Sequence, residues 1–72
     1  MRFPHRDEVQ RLRDRYPAGT RVRLNCMDDI NAPAPGTEGT VTRVDDIGTI
    51  HVAWDNGSML GVAYGVDSCS KL

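Results

Sequence analysis

The stretch from Asp45 to Leu60, D-D-I-G-T-I-H-V-A-W-D-N-G-S-M-L, constrains the fold more than any other part of the chain. Ile50, Val52 and Trp54 alternate with Thr49, His51 and Ala53, the period of two expected of a strand with one buried face. Asn56-Gly57 follows at once. That dipeptide is the strongest short hairpin signal, because a type I′ turn needs φ > 0 at both central residues and these two residue types tolerate it best. Ser58-Met59-Leu60 is then expected to return as the partner strand. Upstream, Asp45-Asp46-Ile47-Gly48 has the chemistry of a second tight turn, entered from a strand over Val41 to Val44. Three antiparallel strands thus come from one short stretch, and the fold is predicted to be small and mainly β.

The rest of the chain supplies a helix and two more strands. Met1 to Pro4 reads as a short lead, with Pro4 suited to the first turn of a helix. From His5 to Tyr16 the pattern is helical: Val9, Leu12 and Tyr16 share a face, Asp7 and Glu8 sit in the first turn, and Arg13 and Arg15 sit in the last. Asp7 and Arg11 form an i,i+4 pair in the favourable order. Pro17-Ala18-Gly19-Thr20 ends the helix. Arg21 to Met27 is the first strand, with Val22, Leu24 and Cys26 on its inner face. Asp28 to Gly36 is a loop broken by Pro33 and Pro35. Thr37 to Val44 re-enters the sheet, with Gly36 and Gly39 allowing a bend or bulge. Gly61 to Asp67 is a glycine-rich crossing, and Ser68 to Leu72 is a last strand. Five short strands with a long first loop describe a small SH3-like barrel over residues 18–72, preceded by one helix over residues 1–17.

Seventy-two residues make one domain with room for a single core, in which Trp54 is the only tryptophan. The net charge of −1 names no partner, but its distribution is uneven. Residues 1–23 hold seven arginines against three acids, a net of +4, while residues 24–72 hold two cations against seven acids, a net of −5. The basic segment, with Arg6, Arg11, Arg13, Arg15, Arg21 and Arg23, is a candidate surface for nucleic acid. On a helical wheel these arginines do not gather: Arg6 and Arg13 flank one edge of the apolar stripe and Arg11 and Arg15 lie beyond the other. Long arginine stems bordering an apolar stripe also suit a helix docked on its own domain. No apolar run is long enough for a signal peptide or a membrane span, so a cytoplasmic protein is expected, with no membrane partner.

Catalytic and metal chemistry find little footing. His5, His51, Cys26 and Cys69 lack zinc-site spacing, and two cysteines make no disulfide framework; both read as buried, reduced thiols. Asp45, Asp46 and Asp55 are explained by turn chemistry, and no EF-hand loop is present. Cys69 or Ser68 could be assembled with His51 and Asp67, yet nothing flanks them like a nucleophile elbow. A non-enzymatic protein without cofactor or metal is expected. Asp28, Asp29 and Asp67 lie in long loops, where they either fix those loops from within or face a partner.

Several motifs match a known family as a set: G-T-R-V-R-L at 19–24, M-D-D at 27–29, A-P-x-P-G-T-x-G-T-V at 32–41, V-D-D-x-G-x-I-H-V-x-W-D-N-G-S at 44–58 and G-V-D-S at 65–68. From Tyr16 to its end the chain resembles an uncharacterised domain-of-unknown-function family of small bacteriophage and conjugative-element proteins, mostly from Gram-positive bacteria. It departs from that pattern at Tyr64, where the family tends to have proline, and at Cys69, where it has an aromatic; the prolyl loop is about one residue short. A fainter likeness connects G-T-V, W-D-N-G and the closing strand to KOW modules and to SH3-like repeats of ubiquitin ligases. The resemblance implies an SH3-like barrel from a mobile element and supplies no catalytic residue. In such barrels the cleft between the first long loop, the third-strand turn and the last crossing binds ligands. Here that cleft would collect Asp28, Asp29, Asn31, Pro33, Pro35, Trp54, Asn56, Tyr64 and Asp67, with Trp54 better read as core. Its acidic rim suits a basic peptide or cationic group better than a phosphate backbone. A protein partner or self-association is therefore expected. Nucleic-acid binding through the arginines, hinted at by the KOW likeness, and sequestration of a small nucleotide signal, suggested by the phage context, are the alternatives.

Overall fold

Asn56-Gly57 does reverse the chain, but through three residues instead of two. In the computed structural model, which describes residues 4–72, no residue other than glycine has positive φ, so a type I′ turn at Asn56 is excluded. The Gly57 N–H donates to the Trp54 carbonyl at 2.9 Å, the Trp54 N–H donates to the Ser58 carbonyl at 2.9 Å, and Gly57 takes φ 92°. This is a three-residue hairpin loop in which only the last position needs the left-handed region. Asp45 to Thr49 repeats the device: Gly48 N–H to Asp45 carbonyl at 3.1 Å, Asp45 N–H to Thr49 carbonyl at 3.0 Å, and Gly48 at φ 82°.

The elements run α1 (Arg6–Arg15), β1 (Arg21–Cys26), β2 (Glu38–Val44), β3 (Ile50–Trp54) and β4 (Ser68–Lys71). All pairings are antiparallel, in the order β3-β2-β1-β4. The expected first and last strands are thus neighbours. The fifth strand is not formed, and among the described residues the sheet stays open instead of closing into the expected five-stranded barrel. The cause lies at Trp54. Its ring is buried, 3% exposed, and its indole N–H needs an acceptor; the Leu60 carbonyl fills that role at 2.8 Å. Turning that carbonyl inward takes the chain off the edge of β3 after Ser58. The chain regains the edge only at Val62, which exchanges two backbone hydrogen bonds with Ile50, at 2.8 and 3.0 Å.

The core joins Val22, Leu24, Val41, Val44, Ile50, Val52, Trp54 and Val62 from the sheet region with Tyr16 from the end of the helix. Val22 and Leu24 point inward as expected, but Cys26 is exposed. A register shift between Leu24 and Cys26 against β4 breaks the alternation and turns Cys26 outward. Cys69, opposite Leu24, is half-buried and packs against the core.

The helix docks on its own sheet. Val9 and Tyr16 are buried, and Leu12 packs against the core. Arg13 donates through Nε to the Val44 carbonyl at 3.2 Å and through Nη2 to Asp46 at 2.5 Å. Pro4 lies before the helix instead of in its first turn: His5 is the N-cap, its Nδ1 accepting the Asp7 N–H at 3.1 Å. Arg11 pairs with Glu8 one turn away, not with Asp7 as the spacing predicted. Of the expected lead, residues 1–3 lie outside the described residues.

Candidate functional site

Asp67 holds two distant loops together. The chain turns at Ala63 to Val66, and Asp67 ends that turn with its N–H on the Ala63 carbonyl at 2.9 Å. Its carboxylate then accepts the Ala63 N–H at 2.9 Å through Oδ2 and the Asp28 N–H at 2.8 Å through Oδ1. The loop after β1 is thereby joined to the segment before β4. Beyond the joint, Asp29 accepts the Asn31 N–H at 2.7 Å, a self-bracing turn that leaves Ile30 at the tip, 98% exposed. The Asp28 carboxylate is exposed and makes no hydrogen bond or ion pair among the described residues.

A pocket of about 170 Å³ opens beside this joint, between the helix and the 62–69 segment. Leu12, Tyr16, Ile50 and Val62 form its apolar lining, Tyr64 and Asp67 stand on the loop side, and Cys69 is part of its wall. Burial pushes the Cys69 thiol pKa up, which keeps it protonated and weakly reactive. Gly48 leaves the opening between helix and loop: a Cβ there would lie 2.8 Å from Pro4, 3.4 Å from Leu12 and 3.4 Å from Tyr64.

Of the residues expected to form a binding surface, Asp28, Tyr64 and Asp67 come together here, with Asp29 one residue further out. Pro33 and Pro35 do not join them. Pro33 is buried, and Pro35 is the second residue of a turn closed by the Thr37 N–H on the Ala34 carbonyl at 3.0 Å, with Gly36 at φ 92°. Reading the sequence missed the contribution of Leu12 and Tyr16. Their signal was the helical stripe itself, whose apolar side is not wholly consumed by the sheet.

The arginines proposed for nucleic acid are largely engaged within the chain. Arg11 pairs with Glu8 and Arg13 with Asp46. Arg21 grips Asp55 with both guanidinium nitrogens, at 2.9 and 2.6 Å, and reaches Glu38 at 3.6 Å, while Arg23 reaches Glu38 at 3.7 Å. The hydrogen bonds from Arg21 hold the Asp55 carboxyl below its usual pKa. Arg15 lies over the Tyr16 ring at 5.7 Å, and Arg6 is exposed. His51 is also taken up, with Nε2 2.8 Å from Asp45. Among the described residues no group of three or more His, Cys, Asp or Glu side chains converges to hold a metal ion, and no helix is long and apolar enough to cross a membrane.

A family model for a domain of unknown function, DUF4314, matches residues 5–72. The chain belongs to the DUF4314 family. The match begins at the helix N-cap and runs through the last strand, so the DUF4314 unit takes in the helix, the joined loops and every described residue lining the pocket. No curated protein matches the chain.

Proposed function

We propose that the chain is a non-enzymatic interaction module of a phage or other mobile element, an open-sheet variant of the SH3-like fold, and that its ligand is a protein. The observation that carries this reading is the pocket beside Tyr64: open, with Leu12, Tyr16, Ile50 and Val62 as its apolar part, and set against a loop joint that holds its rim in place. A cavity of about 150 Å³ accepts one benzene-sized group, whereas sites for small organic ligands run to roughly 300–1,000 Å³. The pocket therefore suits a single side chain presented by a partner better than a whole nucleotide. Exposed Tyr64 and Val66 add apolar surface on the loop that lines it. The ion pairs favour the same reading over nucleic acid, because Arg11, Arg13, Arg21 and Arg23 would each have to leave a carboxylate before neutralising a phosphate.

The test is an amide-resolved NMR titration at low and at physiological salt. The probes are short peptides carrying one central Ile, Leu or Tyr in polar flanks, single- and double-stranded DNA and RNA oligonucleotides, and a cyclic dinucleotide. Peptide-induced shifts centred on Val62 to Cys69 and on Leu12 are expected. Peptide silence would overturn the reading, as would oligonucleotide shifts over Arg6 to Arg23 that fade with salt, or saturable binding of the dinucleotide alone.

A further inference from the structure

The loop joined to the pocket wall through Asp67 carries an exposed knob. Ile30 is 98% exposed at the tip of the loop after β1, where an aliphatic side chain gains nothing from its position in the isolated chain. The tip is also braced. Asp29 accepts the Asn31 N–H, the Ala32 N–H donates to the Asp29 carbonyl at 3.1 Å, and the Asp28 N–H is held by Asp67. A knob ordered in advance loses little conformational entropy when it docks. The hole is the pocket of about 170 Å³, with room for one branched aliphatic side chain against Leu12, Tyr16, Ile50 and Val62.

We propose that the partner of this site is a second copy of this chain, with Ile30 of each protomer seated in the pocket of the other. The proposal rests on the protein-binding reading above and names its partner. Charge supplies the register. Asp28 and Asp29 directly precede the knob, and neither carboxylate has a cationic partner among the described residues. On the helix, Leu12 and Tyr16 line the hole at i,i+4 spacing, and Arg11 and Arg15 run as the adjacent row. Arg13 turns the other way, to Val44 and Asp46, which leaves Arg11 and Arg15 as the helix arginines in the row next to Leu12 and Tyr16. Arg15, stacked on the pocket residue Tyr16, has no carboxylate partner among the described residues and is placed to take one from the incoming loop.

Geometry favours a closed pair. Asp67 is at once part of the pocket wall and the anchor of the knob loop, so the base of that loop adjoins the hole. A knob and hole on one face can engage reciprocally across a two-fold axis, which buries both copies of the contact and stops at the dimer. Knob and hole on opposite faces would instead propagate a filament.

Sedimentation velocity over a range reaching millimolar protein, with near- and far-UV circular dichroism as the folding control, tests this. The wild-type chain is expected to show a monomer–dimer equilibrium. Ile30→Ser, at a solvent-exposed position, should keep the fold and raise the dimer dissociation constant about tenfold or more. Arg15→Glu should weaken association similarly, and adding Asp28→Arg should restore it, since the backbone N–H of residue 28 that Asp67 holds is retained. A wild-type chain that stays monomeric at millimolar concentration would overturn the proposal, as would a dimer indifferent to Ile30→Ser. A monomer whose Val62–Cys69 amides still respond to peptides would overturn the self-pairing alone; a monomer silent to peptides would overturn the protein-binding reading with it.

Discussion

Asp67→Ala tests whether one carboxylate builds the candidate site. The substitution removes the acceptor for two backbone N–H groups, Asp28 at 2.8 Å and Ala63 at 2.9 Å, and adds nothing that could replace it. Hydrogen bonds to a charged acceptor contribute roughly 1.5–3 kcal/mol each where the group left behind stays dry. The Asp28 N–H faces solvent and the Ala63 N–H is half-buried, so water recovers part of the loss. We expect about 1 kcal/mol for the first and about 1.5 kcal/mol for the second. The sum is a large share of the roughly 4–10 kcal/mol that keeps a domain of this size folded. At about 4–8 °C per kcal/mol, the midpoint of thermal unfolding should fall by roughly 10–20 °C. Asp67→Asn keeps one oxygen acceptor and turns an NH₂ group toward the other donor, and its loss should lie between wild type and Asp67→Ala. Unfolding is followed by fluorescence, because Trp54 is the single tryptophan and is buried in the core. The Asp28 and Ala63 amide resonances are followed in parallel; both should move upfield as their bonds are lost. A midpoint within about 3 °C of wild type, or two unmoved amides, would refute the idea that this side chain joins the loops.

Gly39→Ala should destabilise by about 1–3 kcal/mol, since the new methyl would lie 2.6 Å from Val52, 2.8 Å from the Trp54 ring and 2.9 Å from the Ala53 carbonyl; an unchanged urea midpoint would contradict that packing. Desolvation is the largest influence on Asp45 and works to raise its pKa, but the His51 hydrogen bond and the Thr49 and Ile47 N–H groups together outweigh it, so the folded carboxyl sits below its ordinary value. A lowered folded pKa contributes stability that is present above the unfolded pKa and lost as pH falls through the folded one. Urea midpoints measured down from neutral pH should therefore show Asp45→Asn destabilised at neutral pH, with a shallower acid decline below about pH 4 than wild type, and parallel profiles would refute the assignment. A thiol-specific reagent should label exposed Cys26 quickly and half-buried Cys69, whose pKa is raised, slowly; two equally fast thiols would refute the outward turn of β1 at its bulge.

The places where the chain reverses were legible in the sequence and their geometry was not. Asp-Asp-Ile-Gly and Asp-Asn-Gly announce turns through residue type alone. Whether two or three residues form the loop depends on which residues pair across it, and pairing is a property of whole strands. The same limit explains Cys26. Alternation from Val22 and Leu24 places it inside, and only its pairing with β4 reveals the bulge that turns it out. Trp54 was legible as core from Ile50 and Val52 on its face. The demand of its indole N–H for an acceptor was equally present in the sequence, but which carbonyl would answer was not, and that choice, Leu60, removed the fifth strand.

The charges follow the same logic and bear most directly on function. Counted by halves, the sequence describes a basic arm and an acidic sheet, an arrangement that invites an external partner for each. The fold instead brings the halves together: Arg13 onto Asp46, Arg21 onto Asp55, Arg23 onto Glu38. Most of the apparent asymmetry is spent inside the molecule, where exposed pairs add little stability but do occupy the cations. What remains unspent is the informative part. Among the described residues Asp28 and Asp29 lack cationic partners and Arg15 lacks an acid; the first two directly precede Ile30, 98% exposed, while the last stacks on Tyr16 of the pocket lining. Asp28 and Asp67 are 39 residues apart, so no local pattern could have announced that their loops share a joint. The sequence left Asp67 either fixing its loop from within or facing a partner, and its two backbone hydrogen bonds answer to the first: it holds the loop after β1 to the segment before β4.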